Sequence, residues 1–506
     1  MSKVRLRYSG LVNYITIALS LFTGFAFSVM VTRRLKVEEY GLWSVISSLA
    51  AILCYPHLLY GYWVTRSIAR GVKDAVKTGL YLSLIFVLSL TPLYALTSVL
   101  YVFMLGQHTT IYFLLGLLYF YCVYFWYYWG SVTKGLAPEL WGYGLIVGEV
   151  IKVSTGYLLL VVLRIGLIGV IFTLIISFTA MNSVVLIGIK GFNALSSSCK
   201  ISSLLIRRWL KNLWIPLIDL MSNTLLSSEQ LVISAISGTV IPSAFLQVSR
   251  VTTLPISYGS ALASGLYARL LAKVRVEDLK EVLRMIFSIN NFALVTELIL
   301  SVPILSLFNP KYVEGTHVVI LLAITAYFDV LIQVFNTTLT GIEAVDIKEE
   351  TSFRDLLHSY LVKSPLVITL RNFSAIVLSA LLLGTNLFLE PPNQAAAMAS
   401  SWLMTSIPTL TILAIMVKRE LSDFMPWKEL GLSFLANLPV ITYYLLLRVY
   451  EVRVQVFSRD FITLLSHILV AGIVYVVVML LVSEWFRNLF ISVLNYLRRY
   501  RRKLSL

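Results

Sequence analysis

Three cations stand where a cation is costly: Lys152, Arg250 and Arg371 each fall inside a long apolar run. A charge held at membrane depth faces a cavity or a partner. Six carboxylates share that setting: Glu149, Asp219, Glu229, Glu297, Asp329 and, near the end of a run, Glu343. Two chemistries are open to such groups. A guanidinium fork grips an oxyanion bidentately and stays charged when half-buried. A buried carboxylate can exchange a proton or a sodium ion with a water-filled path.

The neighbours of each group refine these options. Arg250 shares its stretch with Gln247, Ser249, Thr252, Thr253, Ser257 and Ser260, which reads as a cavity wall. Its alternative is an ion pair with Asp219 or Glu229 of the preceding span. Lys152 follows Glu149 by three residues, so both lie on one helix face. They form a self-neutralised pair or a proton- or cation-responsive element. Arg371, beside Asn372 and Ser374, is close enough to a span end to snorkel. Asp329 lines up with Gln333, Asn336 and Thr337 at near-helical spacing, whereas Glu297 stands among apolar neighbours. Either carboxylate is a candidate for a coupling ion, with an interhelical hydrogen bond as the alternative. The run Tyr119–Trp129 is dense in aromatic rings. It reads as an aromatic belt or lipid-facing packing before it reads as a sugar platform.

The elements that must position these groups are membrane spans. Of 506 residues, 58% are apolar and 13% charged, with a mean hydropathy of +0.85, which excludes a water-soluble domain of this size. Apolar stretches of about 20 residues, each enough to cross hydrocarbon, recur along the chain. We read about fourteen: near 9–32, 39–64, 78–103, 110–132, 141–163, 165–189, 212–236, 241–268, 285–308, 315–342, 364–388, 394–417, 429–447 and 460–483. The first run is too long for a cleaved signal and lacks a clear small-residue cleavage site, so it is read as the first span.

The net charge of +16 suggests nucleic acid, but no basic soluble module exists to bind it. Membrane topology explains the charge instead. With both termini cytoplasmic, 30 Lys and Arg fall on the inside, 8 on the outside and 3 within spans, a strong positive-inside bias. The expected fold is therefore all-α and polytopic. Its lobes are six spans in 1–190 and six in 191–420, followed by two further spans in 421–483. A basic amphipathic tail at 484–506 suits the interface. A connecting segment at Gly341–Lys363 is read as a short surface helix. The first hairpin, Val31–Ala50, can be laid without gaps on Val232–Val251, pairing Val31 with Val232 and Gly41 with Pro242, as in a parallel repeat.

Cys54, Cys122 and Cys199 have no metal spacing, no cofactor is indicated, and no P-loop or His-Glu-x-x-His helix occurs. No Asp-x-Asp pair is present to hold a metal–sugar-nucleotide, which argues against a membrane glycosyltransferase or polymerase.

The segment Arg34-Leu35-Lys36-Val37-Glu38-Glu39-Tyr40-Gly41-Leu42-Trp43-Ser44, with Asn13 and Gly24-Phe25 before it, resembles the first hairpin of Wzx-type polysaccharide flippases. These belong to the multidrug/oligosaccharidyl-lipid/polysaccharide (MOP) exporter superfamily. That family commonly has Gly where this chain has Lys36. Gly41 is read as permitting a tight turn back into the membrane. The local likeness covers roughly the first 70 residues; fourteen spans and a six-plus-six repeat carry it further. The resemblance implies a plasma-membrane flippase with two lobes around a central cavity. It would move a polyprenyl-(pyro)phosphate-linked oligosaccharide by alternating access, among membrane lipids and glycan-assembly enzymes. On that expectation Arg250, Arg371 and Lys152 are candidates for the substrate phosphate, and Arg66 and Arg70 for its first capture or for anchoring. Asp329, Glu297, Glu149, Asp219, Glu229, Gln247 and Asn336 are candidates for a coupling ion or the cavity wall. A cation-coupled multidrug antiporter of the same superfamily is the alternative.

Overall fold

A computed structural model describes residues 6–191, 200–211, 213–263, 266–343, 357–385, 387–455 and 457–492. Within them the chain is helical, and no strand occurs among the described residues. The helices are α1 (Leu6–Arg34), α2 (Val37–Cys54), α3 (His57–Ala69), α4 (Ala75–Leu105), α5 (Thr110–Leu136), α6 (Pro138–Gly156) and α7 (Leu167–Gly191). They continue with α8 (Ser203–Lys211), α9 (Trp214–Ser227), α10 (Glu229–Ser237), α11 (Ile241–Thr252), α12 (Leu254–Ser257) and α13 (Leu266–Ala272). The rest are α14 (Val276–Ile299), α15 (Ser301–Phe308), α16 (Thr316–Ile342), α17 (Tyr360–Gly384), α18 (Pro391–Glu420), α19 (Trp427–Leu446) and α20 (Phe457–Val482).

Eleven of these segments are long and apolar enough to cross a membrane, and each overlaps one of the fourteen expected spans, although the second expected span divides at Tyr55–Pro56 into α2 and α3 and the ninth at Leu300 into α14 and α15. The chain is a multi-pass membrane protein. Of the other three expected spans, the first is the unbroken 29-residue α1. The seventh and eighth are interrupted as well, into pieces each shorter than a span. The seventh divides at Ser228 into α9 and α10. The eighth divides at Thr253 into α11 and α12 and then tightens to a 3₁₀ turn at Tyr258–Ala263. Pro255 explains the second break, because it supplies no N–H to the carbonyl four residues back. The expected surface helix at 341–363 falls largely outside the described residues, as does the tail beyond 492; residues 484–492 are helical.

The described chain forms two compact units. One holds residues up to Gln247 together with Asn372–Met398; the other holds Val248–Arg371 and Ala399 onward. In the first, α6 packs on α1 and α7, and α5 on α3 and α7. Its core carries the aromatic run, which is a correction to the belt expected from sequence. Phe120, Tyr124, Trp126, Tyr128 and Trp129 are buried. Tyr124 Oη lies 3.0 Å from Tyr60 Oη, Tyr128 Oη donates to the Val76 carbonyl at 2.5 Å, and Trp126 stacks on Trp141. Each buried hydroxyl is thus paired inside protein, as burial demands.

The hairpin signature has a second physical reason. Glu39 turns back to accept the Lys36 N–H at 2.9 Å, fixing the start of α2. Gly41 then lies inside α2, not at a turn, and a Cβ there would sit 2.0 Å from the Val240 carbonyl oxygen. The first hairpin and its sequence counterpart after α10 therefore touch at a contact that only glycine permits. Val240 follows the left-handed Gly238 that ends α10.

In the second unit α14 packs on α16 and α19, and α19 on α20. A continuous apolar core runs through Leu283, Phe287, Ile332, Phe335 and Leu413.

Candidate functional site

The second unit gathers three expected site residues around one that sequence reasoning passed over, Trp402. It is fully buried on α18. The Arg371 guanidinium carbon lies 5.3 Å from the centre of its ring, and that of Arg250 lies 5.6 Å from the same ring. Arg371 Nη2 also approaches Asp329 Oδ1 on α16 to 2.5 Å. Two guanidinium groups, one indole and one carboxylate thus meet from α11, α16, α17 and α18. The indole's π face attracts both cations, worth up to about 2 kcal/mol each when water is excluded.

The two partners of the ion pair differ in burial. Arg371 is only 7% exposed, whereas the Asp329 side chain retains 32% exposure. Arg371 Nε and Trp402 Nε1 are buried without a hydrogen-bond partner among the described residues. Arg371 therefore does not snorkel to an interface; it is held inside the protein. The cluster can bind an anion that brings acceptor oxygens to the guanidinium groups.

The supporting shell comes from the same helices. Two turns along α16, Asn336 Oδ1 accepts from Ser364 Oγ of α17 at 2.6 Å, joining the helices that carry Asp329 and Arg371. Gln333 is exposed. Glu297 on α14 is buried, and the Thr252 hydroxyl donates to the Ser249 carbonyl at 2.9 Å. Thr252 is the last residue of α11, two positions beyond Arg250.

The first unit holds a different arrangement. Lys152 Nζ lies 2.6 Å from Glu149 Oε2 and 5.8 Å from the centre of the Phe27 ring, and Thr23 donates to the same carboxylate. The pair is self-neutralised. Gln247 accepts from Gln230 at 3.3 Å. Glu229 is buried, and Asp219 is exposed with its backbone carbonyl bonded by Asn223. Arg66 and Arg70 are exposed at the end of α3, where Arg66 donates to Tyr62 Oη at 2.6 Å. Among the described residues no group of three or more His, Cys, Asp or Glu side chains is placed to hold a metal.

A separate cavity of 630 Å³ in the second unit is lined chiefly by apolar side chains, among them Leu331, Phe335, Phe424 and Trp427.

No protein-family model and no curated protein matches the sequence. Solved structures do match. The lipid II flippase MurJ, in an inward closed conformation, aligns with a TM-score of 0.63 at 14% identity, covering 96% of this chain and 99% of that one. An inward-facing multidrug-resistance MATE transporter of the MOP superfamily aligns at 0.58 and 13% identity, covering 80% and 96%. A MOP-superfamily transporter from Pyrococcus furiosus Vc1 aligns at 0.50 and 14%, covering 82% and 95%.

This chain has the MOP transporter fold.

At these identities the likeness fixes the fold and leaves the cargo to the chemistry of the site. Within a MOP transporter fold, Arg250, Arg371 and Asp329 meet beside the buried Trp402. Trp402 left one signal in sequence: a large ring directly after the mostly small-residue stretch Ala395–Ser401, away from the interfaces where tryptophan usually sits.

Proposed function

We propose that this protein is a flippase for a polyprenyl-(pyro)phosphate-linked oligosaccharide, serving surface-glycan or polysaccharide synthesis. The observation that carries the reading is the pair of guanidinium groups, Arg250 and Arg371, gathered on one buried indole. A phosphate crossing a membrane loses its water shell and needs fixed cations to replace it, and Arg250 with Arg371 meets that need. A multidrug exporter of cationic drugs needs the opposite polarity. The lipid II flippase spans nearly the whole of this chain, the MATE transporter four-fifths of it, which further supports a lipid-linked cargo. The apolar cavity near Trp427 supplies walls of the kind a prenyl chain requires. The reading includes two six-span lobes with two added spans, a Wzx-type relationship, both termini in the cytoplasm of the source cell, and glycan-assembly enzymes as partners.

The test is reconstitution of purified protein in liposomes with a fluorescent polyprenyl-phosphate sugar and an impermeant quencher. Faster transbilayer exchange, lost in Arg250→Ala, supports the reading. Exchange no faster than in protein-free liposomes, with uptake of cationic dyes instead, would establish the antiporter.

A further inference from the structure

The helix α8 lies between the sixth and seventh expected spans, and the phosphate cluster makes no use of it. Its sequence, Ser-Leu-Leu-Ile-Arg-Arg-Trp-Leu-Lys, is strongly two-faced. One face is fastened to the protein. Trp209 is buried with its indole N–H donated to Ser67 Oγ at 3.3 Å, and Leu205 and Ile206 pack on the core of the first unit. The lead-in is fastened too: Lys200 N–H donates to Asp74 Oδ1 at 2.9 Å and Ser202 N–H to Thr78 Oγ1 at 3.0 Å. Ser202 Oγ accepts the Leu205 N–H at 3.3 Å, capping the helix.

The opposite face has the composition of a membrane contact. Leu204 is 76% exposed, Ile201 54% and Leu210 44%, and Arg207, Arg208 and Lys211 lie at exposed positions among them. Arg66, Arg70 and Lys73 at the end of α3 are exposed as well. Across 66–77 and 200–211 the sequence has a single carboxylate, Asp74, and that group is engaged by the Lys200 N–H. Exposed leucines among arginines suit a surface that is apolar below and negative above. That is the headgroup layer of a leaflet containing anionic phospholipid.

We propose that α8 is an interfacial helix that binds anionic phospholipid headgroups through Arg207, Arg208 and Lys211 while Leu204 enters the acyl boundary. Charge complementarity selects this occupant over zwitterionic lipid, and the fastened inner face keeps the helix presented to it. The proposal does not depend on the cargo.

The experiment places an environment-sensitive NBD label at Leu204→Cys, in full-length protein lacking Cys54, Cys122 and Cys199, within nanodiscs of phosphatidylcholine with increasing phosphatidylglycerol. The expected result is a blue shift and fluorescence gain that grow with phosphatidylglycerol. Arg207→Gln should raise the half-maximal phosphatidylglycerol fraction about fivefold, the effect expected of one basic residue at an anionic surface. High salt should act in the same direction. Identical spectra in both lipids, or no change in Arg207→Gln, would overturn the proposal. A response that needs only stoichiometric polyprenyl phosphate, and is indifferent to phosphatidylglycerol, would overturn it in favour of the carrier lipid. Trp402→Leu, which leaves α8 untouched, should not alter the spectra.

Discussion

Glu149–Lys152 in the first unit and Asp329–Arg371 in the second are both carboxylate–cation pairs at span depth, yet they are built for different ends. The first pair spans three residues of one helix and has a threonine on its carboxylate. Local geometry makes it neutral wherever the rest of the protein goes. The second joins residues 42 positions apart on different helices, and a further guanidinium shares its indole. A pair within one helix serves that helix alone, whereas a pair between helices beside a shared indole brings cations from separate elements to one place.

The largest effect should come from breaking the guanidinium pair on Trp402. Arg250→Ala should reduce flipping about 100-fold, the consequence of losing one buried charge-assisted contact to the cargo, with unchanged protein in the membrane; transport assays and membrane immunoblots check both halves. Arg371→Ala should be as inactive and should also destabilise the protein by about 3 kcal/mol, because Asp329 loses its partner. Adding Asp329→Asn to it should restore the melting temperature but not transport, and that separation is what a purely structural pair would not show.

Trp402→Leu should cost roughly tenfold in transport, since it removes a cation–π contact from both guanidinium groups; Trp402→Phe should recover part of it. Glu149→Gln sharpens the comparison from the other side. It leaves Lys152 without its carboxylate, so thermal stability should fall, while flipping per folded molecule should stay within about twofold. Transport loss matching that of Arg250→Ala would erase the distinction between the units.

The smallest effect concerns Asp423, in the loop between α18 and α19. A hydrogen bond and charge contact from Lys280 at 2.8 Å hold its carboxyl below the usual carboxylate range. Any stabilisation from that pair is present at neutral pH and is lost as pH falls through the lowered value. The side chain is fully in solvent, so Asp423→Asn should leave the melting temperature unchanged at pH 7.

Hydropathy made the spans legible because burying twenty apolar residues in lipid dominates every other local preference. It could not see the breaks at Ser228 and Thr253. Both fall in polar stretches, Ser227–Gln230 and Gln247–Thr253, but polarity within a span reads equally as a cavity wall and does not say that the helix stops. The same limit explains the aromatic run. With rings on every face of α5, periodicity carries no direction, and only the pairing of Tyr60, Tyr124 and Tyr128 shows that the run is core. Glu149–Lys152 was readable because its partners are three residues apart. Asp329–Arg371 was not, since a helix face predicts local neighbours and says nothing about which distant helix it meets. Arg250 and Arg371 stood out as costly charges; Trp402, which joins them, carries no charge to betray it.

The central claim is that Arg250 and Arg371 hold the cargo's phosphate, and direct binding tests it best. Titrating short-chain polyprenyl phosphate onto purified wild type, Arg250→Ala and Arg371→Ala/Asp329→Asn by isothermal calorimetry should give saturable binding to wild type and about 100-fold weaker binding to both variants. Equal affinity in all three proteins, or no preference for polyprenyl phosphate over the uncharged polyprenol, would contradict the account.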